Sequence, residues 1–110
     1  MPERSEAAIQ KAIIAALTLL LGNGARGWVE RTNAGSVSRR MRGAKPGTPD
    51  LQVCLSRGRT CRIEVKRLGG KLSPAQNAWN ERAVRLGHNV AIVDSVDQAI
   101  NFVREVEGMR

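Results

Sequence analysis

The pattern of hydrophobic and polar positions along the chain predicts three helices and four strands. Apolar residues recur at helical spacing from Ile9 to Leu20, with Ser5 as a candidate N-cap and the "GNG" of residues 22–24 as a stop. Two more helices are predicted over residues 72–87 and 95–106, and each opens with a serine followed three residues later by glutamine, as in a capping box. Strands are predicted over residues 27–32, in a hairpin over 50–66, and over 89–94.

This order, αβββαβ(α), predicts an α/β protein with helices packed on a mixed sheet. The hairpin supplies an antiparallel pair, whereas the last strand-helix-strand unit needs a right-handed crossover and therefore a parallel pair. A chain of 110 residues is long enough for one modest core and too short for two. We therefore expect residues 1–110 to form a single domain.

The register of the hairpin determines where its charged residues lie. Its apolar positions are Leu51, Val53 and Leu55 on one strand and Cys61, Ile63 and Val65 on the next. Burying both sets on one face requires odd-numbered residues to pair with odd-numbered ones, and we predict a three-residue turn over residues 57–59. Asp50 would then lie opposite Lys66 and diagonal to Glu64. A Cys54–Cys61 disulfide would need a two-residue turn that separates the apolar sets, so none is expected.

The charge of the chain adds a candidate partner. There are 18 Lys and Arg against 10 Asp and Glu, a net charge of +8, and the excess lies in residues 26–71. Such a basic segment is typical of a nucleic-acid-binding protein, because neutralised phosphates release their counterions. A charged surface that only keeps the protein soluble is the alternative.

Nothing in the sequence predicts a membrane protein. The longest apolar run, residues 12–21, is about half the length that a membrane-spanning helix requires. The first residues, "MPERSE", mix both charges and lack the basic start of a secretory signal. We therefore expect an intracellular, cytoplasmic protein without a membrane or an organic cofactor.

Two acids and a lysine on one face of the hairpin suit metal-assisted hydrolysis of a phosphodiester. Asp50 and Glu64 offer the hard oxygen ligands that Mg²⁺ or Mn²⁺ prefers. Lys66 would position or deprotonate the attacking water and offset the charge of the transition state. Alternatively, Asp50 only begins a turn after Pro49, and Glu64 and Lys66 belong to an ordinary exposed charged face.

Basic residues flank these three positions on both sides in the sequence. The Gly-, Ser- and Arg-rich segment 33–49 precedes Asp50, and a short Gly-Gly segment follows Lys66. We predict that their basic side chains contact phosphates on either side of a cleft: Arg39, Arg40, Arg42, Lys45 and Lys71.

The spacing of "TPD" and "RIEVK" resembles the PD-(D/E)XK nuclease pattern, and the wider chain resembles its VRR-NUC branch of small stand-alone nucleases. The resemblance runs in order through "SEAAIQKAI", "ERTNAG", "GTPDLQV", "RIEVKR", "GKLSPAQNAW" and "GHNVAIVDSVDQA". It implies a restriction-endonuclease-like, Holliday-junction-resolvase-like core and a divalent-metal-dependent DNA endonuclease, a hydrolase selective for branched or flapped DNA. The resemblance also implies that Asp50, Glu64 and the main-chain carbonyl of Val65 are metal ligands. It implies that Lys66 is the catalytic lysine.

The resemblance also brings in two residues from the helices. Glu6 corresponds to a helix-one carboxylate near the metal and is an additional candidate ligand, although an acid at a helix N-terminus is also favoured by the helix dipole. Gln76 corresponds to a glutamine that supports the site through its amide. The predicted capping box with Ser73 could compete for the same side chain.

Small relatives that this chain resembles act as two-fold dimers, so a homodimer is expected. Its candidate contacts are the apolar residues of helix three, Ile100, Phe102, Val103 and Val106, and Leu19 to Leu21 of helix one, all of which could equally pack the core. Two other functions stay open, a non-catalytic nucleic-acid-binding module and an RNA endonuclease on the same fold.

Overall fold

The helices and strands of the protein follow the predicted order. The computed structural model describes residues 4–32 and 46–109. Its helices are α1 (Glu6–Leu20), α2 (Pro74–Arg85) and α3 (Val96–Glu107), and its strands are β1 (Gly27–Arg31), β2 (Leu51–Leu55), β3 (Thr60–Val65) and β4 (Val90–Val93). A one-turn 3₁₀ helix, Ser56–Gly58, joins β2 to β3. The mixed α/β architecture predicted from the sequence is therefore confirmed.

The helices begin at the predicted caps, with one difference in detail. The Ser5 hydroxyl accepts a hydrogen bond from the N–H of Ala8, and Ser73 and Gln76 form a complete capping box at the start of α2. At α3 only half of the predicted box forms. Ser95 accepts from the N–H of Gln98, but the Gln98 side chain accepts from the N–H of Asp94 instead of that of Ser95.

The four strands form one sheet in the order β1-β2-β3-β4, in which only the last pair, β3 and β4, is parallel. The odd-numbered residues of the strands face α1 and α3 and form the core, with Ile13, Leu17 and Val103 among the fully buried helical residues. The other helix, α2, packs against β4 and places its side chains on the even-numbered face of β3. The remainder of that face includes the candidate site.

The hairpin register differs from the prediction by two residues. Odd-numbered residues do pair with odd-numbered ones, as in Leu51 opposite Ile63 and Val53 opposite Cys61, so the predicted face is correct. However, the turn covers Ser56 to Gly58 instead of residues 57–59 and is closed by the bond from the Leu55 N–H to the Arg59 carbonyl at 2.7 Å. Extending this register places Asp50 opposite Glu64, and not opposite Lys66.

The two cysteines are free thiols, as expected. Cys61 lies in the core and Cys54 lies on the other face of the sheet, opposite Thr60. Burial raises the pKa of the Cys61 thiol to about 12, with smaller contributions from Cys54 and Glu107. The Cys61 thiol is therefore an uncharged core group at neutral pH.

Most of the apolar surface suggested as a dimer contact belongs to the core. Val103 and Val106 of α3 and Leu21 after α1 are fully buried, so they cannot form a surface between protomers. Leu19 differs, because 73% of its surface is exposed.

None of the helices in the described part of the chain has the length and apolar character needed to span a membrane.

Candidate active site

The two predicted carboxylates and the lysine lie together at the end of the even-numbered sheet face. Asp50 immediately precedes β2, Glu64 is the penultimate residue of β3, and Lys66 follows the end of β3. Since alternate residues of a strand point to the same side, Glu64 and Lys66 share a face, and the register adds Asp50 to it. The structure therefore brings the predicted trio together, although with a different partner for Asp50.

Glu64 is the central residue of this cluster. Only 5% of its surface is exposed, and its Oε2 atom accepts a hydrogen bond from Gln76 Nε2 at 3.1 Å. The ammonium of Lys66, whose side chain is 13% exposed, lies 3.7 Å from the same oxygen. The Asp50 carboxylate is also close enough to share a hydrogen bond with Glu64. A nearly buried acid is thus surrounded by one cation, one amide and a second acid.

These surroundings change the acidity of Glu64. Its pKa is raised from 4.5 to about 8, first because burial disfavours the carboxylate and then because of the charge of Asp50 and their shared hydrogen bond. Lys66 acts in the opposite direction, and Glu6 raises the pKa slightly further. Two adjacent carboxyl groups in this position need a proton or a cation between them.

Gln76 performs both of the roles that the sequence placed in competition. Its side-chain oxygen accepts the Ser73 N–H at 2.8 Å and completes the capping box. Its side-chain nitrogen donates to Glu64. Since an amide has an acceptor at one end and donors at the other, the helix cap orients the donor toward the site.

Backbone groups fix the orientation of Asp50 and direct a carbonyl toward it. The Val65 N–H donates to Asp50 Oδ2 at 3.0 Å, and the N–H and C=O of one strand residue point to the same side. Extending the register one step puts Pro49 opposite Val65, and proline has no N–H to donate to the Val65 carbonyl. The proline before Asp50 therefore leaves the Val65 carbonyl without an N–H donor from this strand partner.

The remaining predicted residues lie farther from this centre or outside the described residues. Glu6 is the first residue of α1, and its Oε2 atom accepts from the Arg67 N–H at 3.5 Å, at the edge of the cluster. Within the described ranges, no three Asp, Glu, His or Cys side chains are grouped closely enough to hold a metal ion by themselves. Lys71 is exposed between β3 and α2. The other predicted phosphate contacts, Arg39, Arg40, Arg42 and Lys45, lie outside the described residues.

Two residues of this region were missed by the sequence analysis. Arg62 lies two positions before Glu64 on the same face, with its guanidinium 5.6 Å from the ring centre of Trp79. Strand alternation alone could have identified it. Gly47 lies against the first turn of α2, where an added Cβ would be 2.2 Å from the Ala75 carbonyl oxygen. That close approach is tertiary and leaves no signal in the sequence.

Gly47→Ala is expected to lower the free energy of unfolding by about 3 kcal/mol or more. The alanine would have to adopt a left-handed conformation, and its Cβ would also clash with the backbone of α2. The φ angle of Gly47 is +88°. Gly87→Ala is the matched control, since Gly87 has a φ of +86° but no heavy atom within 4 Å of the added Cβ. That control should cost only about 1 kcal/mol of backbone strain. Equal losses for the two variants in urea unfolding would contradict the close packing of Gly47 on α2.

Comparisons with known proteins identify the family and the fold. The VRR-NUC domain family matches residues 5–97. A solved structure described as "VRR_NUC domain" is 25% identical, covers 92% of this chain and 97% of its own, and superposes with a TM-score of 0.63. A second, "VRR_NUC domain protein", is 19% identical, covers 96% and 89%, and has a TM-score of 0.71, which supports the fold alone. No curated protein is matched. Because the family match spans most of the chain and both carboxylates with their lysine, the chain belongs to the VRR-NUC domain family, which indicates a nuclease-type function.

Proposed function

We propose that the protein is a divalent-metal-dependent DNA endonuclease of the PD-(D/E)XK superfamily, a small stand-alone nuclease that hydrolyses phosphodiester bonds in branched or flapped DNA. One observation carries the proposal. Asp50, Glu64 and Lys66 lie together on one sheet face, and Gln76 from α2 donates to Glu64. A protein that only binds nucleic acid has no need for two adjacent acids in its most basic segment.

The donor set of this site fits Mg²⁺ or Mn²⁺. The carboxylates of Asp50 and Glu64 and the carbonyl of Val65 would hold the ion, and Glu6 could add a carboxylate at the edge of the cluster. When bound, such an ion polarises the scissile phosphate and lowers the pKa of a coordinated water. The Asp50–Glu64 pair, in which the pKa of Glu64 is raised to about 8, would release its proton to hold the ion.

The chain's own residues orient these groups and carry the positive charge. The Val65 N–H and the Gln76 amide hold Asp50 and Glu64 in place, so little reorganisation is needed when substrate arrives. Lys66 places its ammonium beside Glu64, where it can orient the attacking water and offset the charge that develops on the phosphate. Its low exposure strengthens this electrostatic effect relative to a surface lysine.

We propose that DNA is held by the basic residues on both sides of the site. Lys71 follows β3, and Arg39, Arg40, Arg42 and Lys45 precede Asp50 in the sequence. Together they account for much of the positive charge of residues 26–71. The proposed active species is a homodimer, because two-fold symmetry would supply a second site for a second strand. Leu19 is the remaining exposed apolar candidate for its contact.

The proposal is tested by incubating purified protein with labelled single-stranded, duplex, flap and four-way DNA, and with an RNA strand. Cleavage is expected with Mg²⁺ or Mn²⁺, to be abolished by EDTA, and to be faster on flap or four-way DNA than on plain duplex. Glu64→Gln should be inactive, because it removes a metal ligand while preserving the size of the side chain. Metal-independent cleavage or an active Glu64→Gln protein would refute the mechanism, and cleavage of RNA alone would move the substrate class to RNA.

A further inference from the structure

Trp28 is a large aromatic side chain that remains exposed on the same sheet face as the candidate active site. It pairs with Cys54 of β2, which in turn pairs with Thr60 of β3. Thr60, Arg62 and Glu64 alternate along β3 and therefore point to one side. Cross-strand partners share a face, so Trp28 lies on the side of Glu64. It is 55% exposed, whereas its neighbour Val29 packs against the core.

The described helices leave this part of the face open. On it, α2 packs against β4, at the opposite edge of the sheet from β1, and α1 and α3 cover the other face. Cross-strand neighbours on this face form three successive rows. Trp28 lies in the first row, Arg62 in the second, and Asp50 and Glu64 in the third. A ligand that extends from the site toward β1 would pass over the row of Arg62 and reach the indole of Trp28.

The separation suits a nucleic-acid strand. The Cα atoms of Trp28 and Glu64 are about 17 Å apart, because four residues along the strand direction and two strands across the sheet separate them. Along a stacked strand, whose nucleotides repeat about every 3.4 Å, this corresponds to about five nucleotides. Arg62 lies on the intervening row with its guanidinium over Trp79 of α2, and Glu30, on the same row, is exposed at the sheet edge.

Charge favours a nucleic acid over a second copy of the chain as the occupant of this face. The protein carries a net charge of +8, and its excess of basic residues lies in residues 26–71. The acids of this face are Glu30 at the sheet edge and the Asp50–Glu64 pair, which the proposed metal ion would neutralise. Two copies of so basic a chain repel each other, whereas a phosphodiester strand is attracted to it. Exposed indole rings stack on nucleotide bases irrespective of sequence, because every base has a π-face.

We propose that Trp28 is a stacking platform for an unpaired base of the substrate strand, several nucleotides from the scissile phosphate. This inference rests on the proposed nuclease function for its orientation and assigns to Trp28 the recognition of a single-stranded arm. Bases in a duplex are already stacked on their neighbours, whereas a single-stranded arm offers free faces. Trp28 therefore selects substrates in which a single-stranded segment extends from the cleaved position toward β1.

Binding is measured first, without catalysis, by tryptophan fluorescence in EDTA. The chain contains two tryptophans, so Trp79→Phe leaves Trp28 as the single fluorophore. Titration with an oligothymidine should quench its emission. In fluorescence-anisotropy measurements with labelled oligothymidine, Trp28→Ala should weaken binding about 10-fold and Trp28→Phe should weaken it less. Leu86→Ala, which removes an exposed apolar side chain at the end of α2, should leave binding unchanged. An abasic nucleotide at the stacked position should weaken wild-type binding but not binding by Trp28→Ala.

Cleavage and sedimentation then separate the possible outcomes. On splayed or flap DNA, Trp28→Ala should raise KM about 10-fold with little change in kcat, and it should leave plain duplex unaffected. Quenching and weakened binding without any wild-type cleavage would support stacking but refute the nuclease proposal. Normal wild-type cleavage with unquenched Trp28 and an unchanged KM in Trp28→Ala would overturn stacking. A Trp28→Ala protein that changes its oligomeric state but binds oligothymidine normally would also overturn it and identify a protein contact.

Discussion

Replacing Lys66 with methionine is expected to reduce the rate of DNA cleavage by about 10²- to 10⁴-fold while the protein still folds. Methionine keeps an unbranched apolar stem but removes the ammonium that lies 3.7 Å from Glu64 Oε2. The two acids of the cluster would then lack the cation that Lys66 supplies, and the attacking water would lose the group that orients it. Single-turnover cleavage at saturating protein measures this loss separately from DNA affinity.

Arg67→Met is the matched control for this substitution. It removes the same formal charge one residue later, but Arg67 is exposed and contributes its main-chain N–H, not its side chain, to Glu6. This control should cleave at a rate close to that of the wild type. If the two variants lose activity equally, Lys66 supplies only general positive charge, and the proposed role beside Glu64 is wrong.

In the absence of metal, the protein is expected to lose stability as the pH rises from about 4.5 to about 8. The pKa of Glu64 is about 8 in the folded protein and about 4.5 in the unfolded chain. Between these values the unfolded chain releases the proton that the folded protein retains, so ionisation favours unfolding. One such group changes the unfolding free energy by at most about 1.4 kcal/mol per pH unit, and a few kcal/mol in total. Urea unfolding in EDTA at several pH values measures the slope.

Glu64→Gln tests whether this slope comes from Glu64. The variant cannot ionise at this position, so its stability should vary less between pH 5 and pH 8 and should exceed that of the wild type at pH 8. Adding Mg²⁺ or Mn²⁺ at pH 8 should stabilise the wild type more than the variant, because the ion binds the ionised pair. A Glu64→Gln protein with the same pH dependence as the wild type would show that the group retaining the proton lies elsewhere.

Much of the architecture could be predicted because it depends on short-range features of the sequence. Helix spacing and the caps at Ser5 and Ser73 involve residues within one or two turns, and the structure places both helices accordingly. The alternation of apolar residues in β2 and β3 also determined which face Glu64 and Lys66 share. Burial of one face is a strong constraint, because a slip of one residue would expose the entire apolar set.

The exact register could not be predicted by the same argument. A slip of two residues leaves every side chain on its original face, so the apolar pattern is equally satisfied by Asp50 opposite Lys66 or opposite Glu64. The turn decides between them. Arg57 adopts a left-handed conformation and the Leu55 N–H bonds to the Arg59 carbonyl, which shifts the turn by one residue and puts the two acids opposite each other. After the larger effect of burial, the Asp50 carboxyl group raises the pKa of Glu64 further.

The sequence by itself determined which residues have the chemistry for the site, namely two acids, a lysine and a glutamine at recognisable spacing. Tertiary structure alone decided how they act together, because their contacts join residues that are distant along the chain. Only α2 packed on the sheet lets Gln76 cap a helix and hold Glu64 at once. Similarly, only the pairing of β1 with β2 places Trp28 on the face of the site. Local propensity cannot encode such contacts, since they depend on the packing of whole elements against one another.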